Sequence, residues 1–361
     1  MSASLKTIKE VHAVPSMTAA KAGYTMPAEW SQHAATWISW PHNPRTWPGR
    51  LASAEQAMAN AVSALSTGEH VHVNVLDDAH EKRVLDQLRL AHANLDAVHL
   101  HHARTNDAWC RDHGAIFVTR NSADAPLAAI NFGFNAWGGK YPAWDLDNAI
   151  PQSMATILGV PCFNVDMILE GGSIDVNGDG ALLTTEQCLL NVNRNPTLTR
   201  EDIESQLRSH LGVTQIIWLG EGIKGDDTDG HVDDITRFVS RDCVLSATAP
   251  PGDPNHHALM ENLARLRATR LIDGTALQVR ELPMPQFRDQ DNEVLPASYA
   301  NFYIGNEIVL MPAYGGRADE VAADIIASCF PERELRAIDC RDLIYGLGAV
   351  HCLTQQVPGI A

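Results

Sequence analysis

The sequence predicts an α/β fold in which strand pairs alternate with single helices, in about five similar units. Three observations carry this prediction. Stretches with strict two-residue alternation, such as His70-Val-His-Val-Asn-Val75, are separated by stretches with apolar residues at helical spacing, such as 52–65. Hairpin signals fall between the helical crossovers, which a purely parallel doubly wound sheet lacks. The pattern returns at intervals of roughly 70 residues, although no convincing identity links the units.

The elements follow in order. Residues 1–24 read as a loose N-terminal arm, with order expected from about Met26. A strand at 36–40 stops at Pro41, and the Pro-rich stretch 41–50 must be loop. Residues 52–65 and 78–90 read as helices around strands at 70–75 and 98–102. Strands at 115–118 and 127–132 precede a helix at 148–158 and a strand at 162–169. An Asn-Gly-Asp-Gly turn at 177–180 joins strands at 173–176 and 181–185 as a hairpin. A helix at 201–211 leads to a strand at 215–219. Strands at 235–240 and 243–247, a helix at 256–269 and strands at 276–282, 300–303 and 308–311 follow, then a last helix at 320–329.

Composition narrows the function. The chain has 361 residues, 45% hydrophobic and 20% charged, which suits one large globular domain or two smaller ones. The net charge of −17 argues against nucleic acid as a partner, and a negative field concentrates small cations. Acidity also serves solubility alone. Seven scattered cysteines, odd in number and without a CxxC spacing, fit a reducing compartment rather than a disulfide framework. No apolar stretch near the N-terminus reads as a secretory signal, and no run reaches the ~20 apolar residues of a membrane span. A cytoplasmic location is the expectation.

Four polar clusters stand out. They are Asn106-Asp-Ala-Trp-Cys-Arg-Asp-His-Gly114, Leu169-Glu-Gly-Gly-Ser173, Asp229-Gly-His-Val-Asp-Asp234 and Gly348-Ala-Val-His-Cys-Leu-Thr-Gln-Gln-Val-Pro358. Together they offer a thiol, a histidine and carboxylates, the inventory for attack on a cationic carbon. Cys352 needs a cation, a histidine or a charged substrate to act as a nucleophile; taken alone it reads more readily as a small buried hydrophobe. Neighbours in an extended strand face opposite ways, so His231 is a better helper for it than His351. An extended His231-Val-Asp233 places imidazole and carboxylate on one face, and the preceding Asp226-Asp-Thr-Asp-Gly230 is turn-like. Asp112 beside Trp109 suits a planar guanidinium, or pairs with Arg111. Glu170 before two glycines could orient His231 or cap a loop.

The Asp175-Val-Asn-Gly-Asp-Gly180 segment with Glu186 satisfies a calcium-loop pattern, but strand-like flanks make it a hairpin turn. The histidines at 99, 101, 102, 256 and 257 lack a recognised metal-ligand spacing. No phosphate-cradling glycine loop or Gly-x-Ser-x-Gly elbow is present.

Taken together these segments resemble the agmatine deiminase family, among the guanidino-group-modifying enzymes of pentein fold. The resemblance runs from Met26-Pro-Ala-Glu-Trp30 through Asn135-Ala-Trp-Gly-Gly139, Trp144-Asp145, Glu170-Gly-Gly-Ser173 and Leu183-Thr-Thr-Glu186. It continues through Asn191-Val-Asn-Arg-Asn-Pro196, Thr228-Asp-Gly-His-Val-Asp233 and Ala297-Ser-Tyr-Ala-Asn-Phe-Tyr303 to His351-Cys-Leu-Thr-Gln-Gln356. It implies a five-bladed α/β propeller around a central site, with residues 25–361 as one catalytic domain. It implies Cys352 as nucleophile, His231 as general acid/base supported by Glu170, Asp112 and Asp233 as guanidinium binders, and Trp109 lining the site. Agmatine is the implied substrate, without metal or organic cofactor, in a homodimer. The chain departs from the family pattern at Ala115, usually Pro, and at Gly346-Leu-Gly-Ala349, usually three glycines and Asn. It departs again at Asp227, usually Glu, which is expected to help hold the far end of the substrate. Another guanidino substrate (arginine, methylated or peptidyl arginine), amidino transfer to an amine, and a silent guanidino-binding homologue are the competing readings.

Overall fold

The computed structural model describes residues 17–360. Three parallel strands open it: β1 (His33–Ser39), β2 (His70–Val75) and β3 (Val98–His102), linked through helices Leu51–Leu65 and Asp78–Leu90. Four units of one design follow, each an antiparallel pair and then a helical crossover to a parallel third strand. The second unit is β4 (Ile116–Thr119), β5 (Leu127–Gly133), helix Ile150–Leu158 and β6 (Cys162–Ile168). The third is β7 (Asp175–Val176), β8 (Ala181–Thr185), helix Arg200–Leu211 and β9 (Gln215–Leu219). The fourth is β10 (Thr236–Ser240), β11 (Cys243–Thr248), helix His256–Ala268 and β12 (Gln278–Pro283). The fifth is β13 (Tyr303–Ile304), β14 (Ile308–Ala313), helix Arg317–Cys329 and β15 (Glu334–Asp339). Finally β16 (Thr354–Pro358) returns to lie antiparallel to β1, giving the first unit its own antiparallel pair. These five sheets are the blades of the propeller that the resemblance implies.

Local chemistry explains the elements. In β2 the valines point into the core while the alternating polar residues face the other side. Asp77 caps the helix Asp78–Leu90 by accepting the His80 N–H at 2.9 Å. Thr199 and Asp202 form a reciprocal capping box on Arg200–Leu211, which ends at Gly212 with φ 69°. Asp175 and its neighbours form the expected hairpin turn. The Asp175 carboxylate is occupied by Arg237 Nε at 3.2 Å and Phe238 N–H at 2.6 Å, not presented as a calcium ligand.

Three expectations need correction. Order begins ahead of Met26: Ala19 and Tyr24 are buried, and Thr25 bridges Thr119, while residues 1–16 lie outside the described chain. Of the expected 300–303 strand only Tyr303 forms, in the two-residue β13, while the Asn301 side chain bonds the turn before β16. The strands β15 and β16 were not foreseen. β16 reads Thr-Gln-Gln-Val-Pro, too polar for a buried strand by composition, yet all five residues are buried, with the Gln356 oxygen held by Arg111 and the Gln355 side-chain N–H by the Ala115 carbonyl. Among the described residues, no helix is long and apolar enough to cross a membrane.

Glu29, from the segment leading into β1, draws the blades together. Its Oε2 pairs with Arg237 of β10 at 2.9 Å, with Arg111 at 3.3 Å and with His351 Nε2 at 2.8 Å. Its Oε1 accepts the Ile304 N–H of β13 at 2.9 Å. Arg237 passes the connection on to Asp175 of β7 and to the Phe302 carbonyl. Burial disfavours the Glu29 charge, but Arg237, His351 and Arg111 outweigh it and hold the carboxyl well below the usual range. A depressed folded-state pKa gives stability that is present above the ordinary carboxylate range and is lost as pH falls through the folded value. Glu29→Gln leaves two buried guanidinium groups facing a neutral amide, so urea unfolding should show a loss of about 3–5 kcal/mol. A loss below about 1 kcal/mol would mean that Arg111 and Arg237 are held by their other partners.

Candidate active site

Cys352 lies in the turn before β16, not in an extended strand. Its carbonyl accepts the Arg111 N–H at 3.1 Å, which fixes the turn against the Cys110–His113 helical turn. Its Sγ is 3.0 Å from Asn301 Nδ2 and 3.7 Å from Asp233 Oδ2. His351 is engaged by other partners: its Nδ1 meets Asp233 Oδ2 at 2.7 Å and its Nε2 meets Glu29 at 2.8 Å. The remaining Asp233 oxygen, Oδ1, has no hydrogen-bond partner among the described residues.

His231 and Asp233 enter the same site from a 3-10 turn, Val232–Asp234, rather than by the strand alternation expected of them. His231 is fully buried, and neither ring nitrogen has a hydrogen-bond partner among the described residues. Its Nδ1 stands 3.6 Å from Asp112 Oδ1. Asp112 does not pair with Arg111, which is engaged by Glu29 and by Gln356 at 2.7 Å. Asp112 instead accepts the Gly172 N–H at 3.1 Å and the Trp137 indole N–H at 2.9 Å. Glu170 makes no hydrogen bond to His231. Its Oε1 accepts Arg194 Nε at 2.7 Å, while its buried Oε2 is unpartnered among the described residues. Arg194 also donates to the Thr228 carbonyl at 2.7 Å, so it ties Glu170 to the loop that carries His231.

Gly172 lets its backbone pack directly against these groups. A Cβ there would lie 2.6 Å from His231 Nδ1, 2.8 Å from Asp112 Oδ1 and 3.1 Å from Asp233 Oδ2. Three charged or polar groups thus converge where a side chain is missing.

The electrostatics are those of a site short of one positive charge. Burial, reinforced by Asp233 and Glu170 against the relief from His231, pushes Asp112 up to about 6. Burial works against charge on His231, but Asp112, Cys188 and Glu170 prevail and raise it well above the ordinary histidine value. Burial and the negative charges of Asp233, Asp234 and Asp112 push the Cys352 thiol well up, so without a cation it stays protonated.

A cavity of about 500 Å³ leads to the thiol. Cys352, Asp112, Trp109, Trp137, Asp227 and Leu347 are part of its wall. Trp109 is buried on this wall as expected, and a Cβ on Gly348 would strike its ring at 2.5 Å. A Cβ on Gly346 would likewise meet Trp47 at 2.6 Å, so of residues 346–348 only 347 has room for a side chain. Leu347 takes it, at φ 70°. At the outer end the Asp227 carboxylate accepts the Tyr141 hydroxyl, and Lys140 pairs with Asp229 at 2.8 Å. Sequence reasoning assigned no role to Asn301, Arg194, Cys188, Trp137 or Tyr141. The motif segments quoted above contain Asn301, Arg194 and Trp137, but nothing in them marks those side chains as aimed at the site. Trp137 carries a local trace: it follows Ala136 in the left-handed region, at φ 55°, in a segment closed by Gly138-Gly139.

Five α/β blades around a buried thiol, an imidazole and paired carboxylates define the guanidino-group-modifying class of pentein enzymes. The chain belongs to the Porphyromonas-type peptidyl-arginine deiminase family, matching it over residues 25–358. It is 38% identical over 363 aligned residues to the agmatine deiminase of Stutzerimonas stutzeri strain A1501, covering 93% of this chain and 96% of that protein. The structure of the Enterococcus faecalis agmatine deiminase, described as catalysing its reaction, matches with a TM-score of 0.89 at 30% identity, covering 96% of this chain and 98% of the other. A cysteine-to-serine variant of C. jejuni agmatine deiminase with substrate bound matches with a TM-score of 0.82 at 31% identity, covering 92% and 96%.

Two predictions follow from this geometry. Gly172→Ala should fold normally but lose at least about a hundredfold in kcat/KM, since a displaced imidazole or carboxylate leaves the reacting geometry; near-normal turnover would show that the three groups can give way. The acid limb of kcat/KM should fall near pH 6 as Asp112 protonates, and Trp137→Phe should move it upward by about one pH unit, because the lost hydrogen bond favoured the charged carboxylate. An unmoved limb would remove Asp112 as the titrating group.

Proposed function

We propose that this protein hydrolyses the guanidinium group of agmatine to N-carbamoylputrescine and ammonia. The observation that carries the proposal is the Cys352 thiol held 3.7 Å from Asp233, at a cavity whose wall also carries Asp112, with His231 3.6 Å from Asp112. A guanidinium seated beside the thiol pairs with the Asp112 and Asp233 carboxylates and supplies positive charge. That charge cancels the field which keeps the thiol protonated, and the thiol proton leaves as the cation binds. The thiolate attacks the guanidinium carbon. His231, protonated through its proximity to Asp112, gives its proton to one amino nitrogen, and ammonia departs. A covalent thiouronium remains on Cys352. The now neutral His231 takes a proton from water; the hydroxide adds to the same carbon and the thiolate is expelled, releasing the ureido product. Glu170 acts on His231 through its charge and through Arg194, not through a hydrogen bond.

Asp227, at the far end of the cavity, is placed to receive the terminal ammonium of agmatine, with Tyr141 orienting its carboxylate. Arginine carries a carboxylate at that end and would meet Asp227 as a like charge. Arg45 and Lys140 on the cavity wall favour arginine, and so arginine belongs in the same assay. The reading includes residues 25–361 acting as one catalytic domain, in a cytoplasmic homodimer serving polyamine synthesis. Sedimentation equilibrium tests the dimer.

The test is ammonia and ureido-product release from purified protein with agmatine, arginine alongside. Turnover of agmatine at least about a hundredfold above arginine is expected from the loss of the charge pair at Asp227. Cys352→Ser should bind agmatine without turnover. Wild-type rates in that variant would sink the mechanism, and arginine turnover without agmatine turnover would sink the substrate assignment.

A further inference from the structure

The mechanism leaves one buried group beside His231 unused. Cys188 sits in the short helix Glu186–Leu189, just beyond β8, and is fully buried. The Cys188 thiol, a His231 nitrogen and a Glu170 oxygen all lie within 4.8 Å of one another. Two members of this trio carry unsatisfied atoms among the described residues: both His231 nitrogens, and Glu170 Oε2. Buried polar atoms without partners are costly, and here a Glu170 oxygen and one nitrogen of His231 come together with the Cys188 sulfur. Sulfur, imidazole nitrogen and carboxylate oxygen are the donor set of zinc and its neighbours, which take bonds of about 2.0–2.3 Å to these atoms in tetrahedral sites. In such sites three protein ligands leave a fourth position for water.

We propose that Cys188, His231 and Glu170 form a binding site for a zinc-like divalent transition ion, and that its occupancy reversibly inhibits the enzyme. Binding replaces the Cys188 thiol proton, and the imidazolium proton of His231, by bonds to the ion; both protons go to solvent and no electrons are exchanged. The thiolate and the Glu170 carboxylate match the ion's charge, with Asp112 3.6 Å from His231 adding to the negative surroundings. Arg194 occupies only Oε1 of Glu170 and leaves Oε2 for the ion. A metal-bound imidazole can neither give nor take the proton that the reaction needs, so inhibition acts on the acid/base and leaves Cys352 untouched. This differs from capture by the nucleophile itself, which has its own potential set in Asp233, Asp234 and Cys352.

The inhibition rests on the proposed deimination, but binding does not, and the experiment separates them. Metal-stripped full-length protein is titrated with Co2+ while the thiolate-to-cobalt charge-transfer band is followed in the near ultraviolet, and Zn2+ is then added to displace it. The band is expected in the wild type and in Cys352→Ser, and is expected to vanish in Cys188→Ser and Cys188→Ala. In parallel, Zn2+ should lower agmatine hydrolysis at least tenfold, and Cys188→Ser, measured against its own zinc-free rate, should need at least tenfold more Zn2+ for the same inhibition. A band that survives in both Cys188 variants, or one that disappears in Cys352→Ser, overturns the proposal. So does a wild type that shows no band. Should the chain act on a different guanidino compound, the band still forms and only the rate assay changes substrate.

Discussion

The structure depends on one buried carboxylate. Glu29 is bonded to groups from the second, fourth and fifth blades and from the turn that carries Cys352, and through Arg237 it reaches the third. Each blade alone is a three- or four-stranded sheet with a helix or two, and none closes a core at the ring axis. The axis must therefore be polar, and polar groups buried there need partners from more than one blade. The consequence is that fold and site share their wiring. His351 links Glu29 to Asp233, and Asp233 stands beside the thiol. The charges that hold the blades also set the field around the nucleophile.

That field has a clear direction. Asp112, Asp233, Asp234 and Glu170 crowd carboxylates around the His231 imidazole and the Cys352 thiol, while the buried Arg194 pairs with Glu170 and Arg237 with Asp175 and Glu29. Asp112 is raised for want of a cation, and the thiol is raised by the same carboxylates. A bound guanidinium relieves both at once. Reactivity is thus tied to the presence of the correct charge, and the idle thiol is protected from adventitious chemistry because it remains neutral.

Much of this was legible in the sequence because strong periodicity leaves little choice. β2, β3, β9 and the helix Asp78–Leu90 fall at the residues where alternation or helical spacing placed them. Apart from Asp227, the residues expected at the site stand in the polar clusters, and the structure draws those clusters together around Cys352 and His231. What the sequence hid is of two kinds. One is geometry that reaches the right place by a different route: His231 and Asp233 converge through a 3-10 turn, not through a strand. The other is the residue whose purpose exists only across a long separation. Asn301 reads as an ordinary loop amide until its oxygen meets the backbone of His351 and its nitrogen meets Sγ. Gln355 and Gln356 make β16 look like a surface segment until Ala115 and Arg111 are seen to take up their amides.

The closure of β16 onto β1 bears on how the protein is made. His33 pairs with Pro358, so the ring is completed by strands from the two ends of the described chain. Cys352 gains its turn, its contact with Asn301 and its carboxylate neighbours only when that pairing forms. A ribosome-bound chain that already contains four blades and every carboxylate of the site still lacks a placed nucleophile. Long-range closure of this kind is slow relative to local helix and hairpin formation, so the blades have time to fold before the reactive thiol is enclosed. Catalytic competence therefore depends on one pairing between distant parts of the chain and is not gained blade by blade.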